Sequence, residues 1–150
     1  SDGGPGSYET ELLDGIVSYV DKVYRSDPSR RGLAGVSRGG VWALEIAFRN
    51  PSAFQAVAAV SPALAVNSAR PPYDPFEIVR SAKHLPREIL LLAGDQDWAA
   101  SSTERLSAAL EAAGFPHSFR LLQGDHSDPT WAEAMPQILA IFAWGLAGGP

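Results

Sequence analysis

The chain has 150 residues, 17 acidic against 12 basic side chains for a formal net charge of −5, and no cysteine. A hydrophobic content of 45% with 19% charged residues fits one globular domain over residues 1–150, long enough to bury a core. The charge and the lack of any Lys/Arg cluster exclude a nucleic-acid partner, the missing cysteines exclude disulfides and thiolate chemistry, and no run is apolar for long enough to span a membrane.

In chain order, "SDGGPG" is loop by composition. Ser7 is placed to cap a helix, with Glu9 and Glu11 in its first turn and Tyr8, Leu12, Ile16, Tyr19, Val20 and Val23 at helical spacing. "RSDPSR" ends it. The apolar run "RGLAGV" predicts a buried strand ending at Ser37, and "RGGVWALEIAFRN" predicts a helix stopped by Pro51. "FQAVAAVSP" is a second strand. In the Pro-rich segment that follows, Asp74-Pro75 with Glu77 starts a short helix. "REILLLAGDQD" is the third strand. "SSTERLSAALEAAG" is a helix, capped by Ser101 or Ser102 and closed by Gly114. "HSFRLLQGDH" is the fourth strand, and Asp128-Pro129 opens a last helix with Pro136 placed to kink it. Apolar strands alternating with helices predict an α/β fold: a parallel sheet of about four strands with helices on both faces.

Within this frame, "GVSRG" places Ser37 between Gly35 and Gly39, at the turn from a predicted strand into a predicted helix. A nucleophilic serine needs a tight turn that lifts its hydroxyl above the sheet, and flanking side chains would collide with the adjoining strand and helix. The bland alternative is a Gly/Ser loop that only turns a corner. The helix that follows aims backbone N–H groups at developing negative charge.

A serine hydroxyl needs a base. Of the three histidines, His84 precedes the third strand and His117 precedes the fourth, whereas His126 follows the fourth. Ligands in an open parallel sheet bind outside the carboxyl ends of the strands, which selects His126. A carboxylate must orient it. "AGDQDW" supplies Asp95 and Asp97 at the same sheet edge. Asp97 lies two residues further into the loop and is preferred; Asp95 fits a turn residue bonded to its own backbone. Asp125 and Asp128 have local roles, Asp128 as a helix cap. Trp42, Trp98, Trp131, Tyr73 and Phe76 fall near this edge or in the Pro-rich linker, with Trp98 and Trp42 the candidates for substrate binding.

The order Ser37, Asp97, His126 is that of the α/β-hydrolases. With "GVSRGGVWALEIAFRNPSAFQAVAAVSPAL", "LLLAGDQDW" and "GDHSDPTW", the chain resembles their esterase D-like branch. The resemblance implies a serine esterase that needs no cofactor and no metal and acts on a small-molecule ester, with Ser37 as nucleophile, Asp97 as acid, His126 as base and the Arg38 N–H as one oxyanion-hole donor. It covers the chain from the first helix onward and corresponds to the second half of an eight-stranded fold. The first four strands have no counterpart, nor does the loop that normally supplies the second oxyanion donor.

Two other functions compete with the esterase. One is a non-catalytic or assembly-dependent half-domain, completed by a second copy in a homo-oligomer or by an N-terminal segment of the same fold. The other is a metal site built from Asp95, Asp97, Asp125, His126 and Asp128.

Overall fold

The computed structural model describes residues 5–146. The loop expected over residues 1–6 lies mostly outside them; Pro5 and Gly6 form a turn, with Gly6 at φ +74°. Four strands, β1 (Gly32–Val36), β2 (Ala56–Val60), β3 (Glu88–Gly94) and β4 (Ser118–Leu122), form one sheet in the order β1-β2-β3-β4, every pair parallel. The register aligns Val36 with Val60 and Leu92, so these strands end near one another.

The two central strands explain why the sequence reads as unbroken apolar runs. All of β2 is buried, as is β3 after Glu88, because helices cover both faces. Against one face lie α3 (Arg38–Arg49), α4 (Pro75–Ser81) and α5 (Ala100–Ala112), around Leu44, Ile46, Phe48, Val57, Leu91 and Leu106. Against the other lies α6 (Asp128–Leu146), which carries Ala134 and Ile138 onto Val60, Leu90 and Leu92. Each fully buried Val, Leu or Ile side chain among them contributes roughly 1.5–3 kcal/mol. The outer strands differ: β1 has no residue fully buried, and β4 buries only Leu122.

Several predicted starts and stops are present. Ser7 Oγ accepts the N–H of Thr10 at 3.2 Å, Asp74 accepts that of Phe76 at 2.9 Å, and Gly114 ends α5 at φ +77°. Two details differ. The first helical stretch, residues 8–23, is not uniformly α-helical: α1 (Tyr8–Thr10) and α2 (Ser18–Val23) flank a π-helical segment, Glu11–Val17, where the Ser18 hydroxyl donates to the Leu13 carbonyl five residues back at 3.3 Å. The start of α5 is not capped by Ser101 or Ser102. The N-cap position is Ala99, with no side-chain cap; Ser102 donates its hydroxyl back to Ala99 O at 3.0 Å, and Asp97 in the preceding turn accepts the N–H of Ala99 at 2.8 Å.

Candidate active site

β1 runs straight into α3 through Ser37, and the turn is tight enough to force the serine to φ 53°, ψ −118°. A non-glycine residue with positive φ costs on the order of 1–3 kcal/mol and persists only where its surroundings over-determine it. They do here. The Ser37 N–H donates to Val60 O at 2.9 Å, and the Ser37 carbonyl accepts from Gly40 at 3.0 Å and from Ala63 at 3.0 Å.

The glycines around it are unequal. A Cβ on Gly35 would stand 2.1 Å from the Gly39 carbonyl oxygen, and one on Gly40 would press on Pro62 at 3.2 Å. A Cβ on Gly39 meets nothing within 4 Å. The steric demand expected of both motif glycines therefore falls on Gly35 and on Gly40, which lies outside the motif.

The Ser37 hydroxyl lies 2.8 Å from Nε2 of His126, and Nδ1 of the same ring lies 2.9 and 3.1 Å from Oδ1 and Oδ2 of Asp97. Three side chains from the ends of β1, β3 and β4 thus form one hydrogen-bonded line, although Ser37 and His126 are 89 residues apart in sequence. With Nδ1–H donated to the carboxylate, Nε2 presents its lone pair to the serine O–H. The Asp97 carboxylate is fully buried, whereas the His126 side chain keeps 18% of its surface exposed. The Ser37–His126 end of the line is therefore the partly exposed one, and the Asp97 end is closed.

Two rings fix the imidazole. Trp98 stacks on it with centroids 4.6 Å apart, and Trp131 meets it edge-on at 5.1 Å. Trp98 is 49% exposed, so about half of this aromatic side chain is open to solvent beside the imidazole. Trp42 packs instead on Tyr8, at 4.8 Å. Tyr73 and Phe76 are also placed elsewhere. Arg49, at the far end of α3, sits 4.2 Å over the Tyr73 ring and donates to the Pro72 carbonyl, while Phe76, within α4, packs against the core. The Pro72–Tyr73 part of the linker is thus held at that far end, while its start, at Ala63, bonds the Ser37 carbonyl.

Arg38 is the first residue of α3, and its side chain is exposed. The first N–H groups of a helix have no acceptor within it, so the Arg38 N–H is available beside Ser37. Asp95 is not the self-bonded turn residue expected: its Oδ1 accepts the N–H of Gly124 at 2.9 Å, from the loop that carries His126. His84 is exposed in its linker, and His117 bonds Ser107 at 2.7 Å, so neither joins the site. Among the described residues no three His, Asp or Glu side chains group to hold a metal ion. Asp125 turns to Ser127 and Asp128 begins α6. Among the described residues no helix is long and apolar enough to cross a membrane.

A family model described as "Putative esterase" matches residues 1–142. The chain belongs to this esterase family. No curated protein matches the sequence. Solved structures similar to this esterase-family chain include a ferulic acid esterase, with 24% identity and a TM-score of 0.78 over 95% of this chain and 64% of that one. An S-formylglutathione hydrolase from Staphylococcus aureus is similar at 20% identity and a TM-score of 0.82, over 95% of this chain and 66% of its own. Its counterpart from Agrobacterium tumefaciens gives 22% and 0.79, over 97% of this chain and 62% of its own. At these identities the likeness is one of fold, that of the α/β-hydrolases, and the esterase-family chain spans slightly less than two thirds of each structure's length.

Proposed function

We propose that the chain is a serine hydrolase that cleaves carboxylic esters through a Ser37–His126–Asp97 triad and an acyl-enzyme intermediate. The observation that carries this is the continuous hydrogen-bonded line from the Ser37 hydroxyl to the Asp97 carboxylate through both nitrogens of one imidazole. Membership of an esterase family supports it.

In this mechanism His126 Nε2 removes the Ser37 proton as Oγ attacks the ester carbonyl carbon. Asp97 holds the Nδ1–H tautomer and stabilises the imidazolium that forms. The carbonyl oxygen becomes an oxyanion beside the helix start and accepts from the Arg38 N–H. His126 then returns its proton to the leaving alkoxide oxygen. Water repeats the sequence on the acyl-serine: His126 takes a proton from the water, the hydroxide oxygen bonds the acyl carbon, and Ser37 leaves with the proton restored. No step calls for a metal or a cofactor. The exposed part of Trp98 packs on a flat portion of a small-molecule ester.

An active-site fluorophosphonate tests the assignment. Ser37 should take the label and no other serine should, and Ser37→Ala should bring hydrolysis of p-nitrophenyl esters to background. Full hydrolysis by a pure Ser37→Ala sample overturns the mechanism.

One observation favours a second, assembly-dependent reading. β1 carries the nucleophile yet lies at the open edge of the sheet, and Ile16, Tyr19, Val23 and Tyr24 on the preceding helix and its end are each more than half exposed. On this reading a second copy, or a segment of the same fold, pairs with β1 and completes the oxyanion hole.

A further inference from the structure

The loops that bring Asp97 and His126 together are themselves joined at their base. Gly94 pairs with Leu122 at the end of the β3–β4 ladder. Beyond it, the Asp95 N–H donates to Leu122 O at 2.8 Å and the Gln96 N–H donates to Gly124 O at 2.9 Å. The N–H of Gly124 takes no backbone carbonyl in this extension. It donates to Oδ1 of Asp95 at 2.9 Å. Close approach requires bare backbone on both sides. A Cβ on Gly94 would stand 2.3 Å from Gly124 O, and one on Gly124, which has φ +129°, would stand 2.3 Å from Thr130 Oγ1. Two residues beyond this base, Asp97 on one loop meets His126 on the other.

Resting on the assignment of His126 as the base, we propose that Asp95 is a positioning residue for it. By accepting the Gly124 N–H, the Asp95 carboxylate fixes the loop 123–127 so that the imidazole stays between Asp97 and Ser37. Glycine has the widest backbone freedom of any residue, so Gly124 is where this loop most needs restraint. The side chain is exposed and lies at the base of the loops, so it touches no reacting atom. The task requires an acceptor oxygen at that position, not a charge: an amide oxygen can do it, and a methyl group cannot.

The test compares Asp95→Ala, Asp95→Ser and Asp95→Asn with the parent chain, in ester hydrolysis and in the far-downfield proton signal of a histidine Nδ1–H bonded to a carboxylate. Serine keeps a turn-forming residue but falls short of Gly124, so it serves where the alanine variant does not fold. The expected result for Ala and Ser is a kcat lowered by about tenfold to a hundredfold, since small misplacements of a catalytic group cost that much. KM should be unchanged, and the Nδ1–H signal weakened. Asp95→Asn should recover most of both losses. A sharp parental Nδ1–H signal in both Asp95→Ala and Asp95→Ser overturns the proposal, as does an asparagine variant as impaired as they are. The NMR signal does not depend on turnover. A parent that neither hydrolyses esters nor labels at Ser37 removes the esterase mechanism, while loss of the signal in Asp95→Ser would still establish the clamp.

Discussion

Asp97 Oδ1 accepts both the N–H of Ala99 at 2.8 Å and the Nδ1–H of His126 at 2.9 Å. One buried carboxylate therefore fastens the start of α5 and orients the imidazole. The acid of the proposed triad is also bonded within the turn that leads into α5, which keeps it in position without substrate.

That double duty separates the two aspartates of "GDQD". Asp97→Asn should lower kcat by about 10⁴, because an amide favours the wrong imidazole tautomer. Asp95→Asn keeps an acceptor for Gly124 and should affect melting more than kcat. Steady-state kinetics and thermal melts of both variants check this; the reverse order would assign the acid to Asp95.

The glycines around Ser37 give a second contrast. Gly35→Ala forces a methyl into the Gly39 carbonyl, contact at 2.1 Å that backbone must relieve. It should destabilise the chain by roughly 1–3 kcal/mol and displace the nucleophile. Gly39→Ala meets open space inside a helix and should be neutral or stabilising by up to about 1 kcal/mol. Denaturant melts with fluorophosphonate labelling rates read both effects.

These glycines also mark what sequence could and could not supply. The order of strands and helices was legible because Pro, Gly and Asp punctuate nearly every boundary, and the ends of β1, β3 and β4 named Ser37, Asp97 and His126 together. Spacing alone could not rank Gly39 against Gly40, since the ranking depends on Pro62 across the sheet edge. It could not pair Asp95 with Gly124, 29 residues away. Nor could it place Tyr73, whose position follows from Arg49 stacking on it. The π-helical turn left no signature in the apolar spacing. The only hint of the loop clamp was that "GD" recurs after both β3 and β4, at Gly94-Asp95 and Gly124-Asp125.

The two tryptophans proposed from sequence as substrate contacts should separate. Trp98 stacks on His126 and is half-exposed, so Trp98→Ala should raise KM severalfold for esters with an aromatic group and less for acetyl esters. Trp42 packs on Tyr8, so Trp42→Ala should lower the melting temperature with KM unchanged. A KM change confined to Trp42→Ala would move the substrate pocket to the α1 side of α3.

Acid titration gives a test remote from the site. The Arg31 guanidinium, followed by the Ser26 hydroxyl, holds the Asp21 carboxyl below the usual carboxylate range. A depressed folded value means a stabilisation present above the unfolded pKa and lost as pH falls through the folded one. The group is solvent-exposed, so the loss should be small. NMR titration should find the Asp21 value low and returned toward normal in Arg31→Gln, with little change in melting at neutral pH.

The last prediction concerns the edge of the sheet. Among the described residues no strand pairs with the outer edge of β1, which has no proline and no residue fully buried along it. Beside it runs a groove of about 380 Å³ whose floor of Leu12, Ile16, Val20 and Leu33 is rimmed by the Asp21–Arg31 ion pair. Open apolar edges recruit strands from other chains, and native proteins blunt them with charge, most often lysine. The purified chain should therefore scatter light as a species heavier than its 15.9 kDa mass. Ala34, exposed in the middle of β1, is the place to intervene. Ala34→Lys should shift the chain toward monomer. If activity depends on a strand paired there, ester hydrolysis should fall in the same fractions. A monomeric parent with fast turnover would mean that β1 works unpaired and that the Arg38 N–H has a second oxyanion donor within this chain.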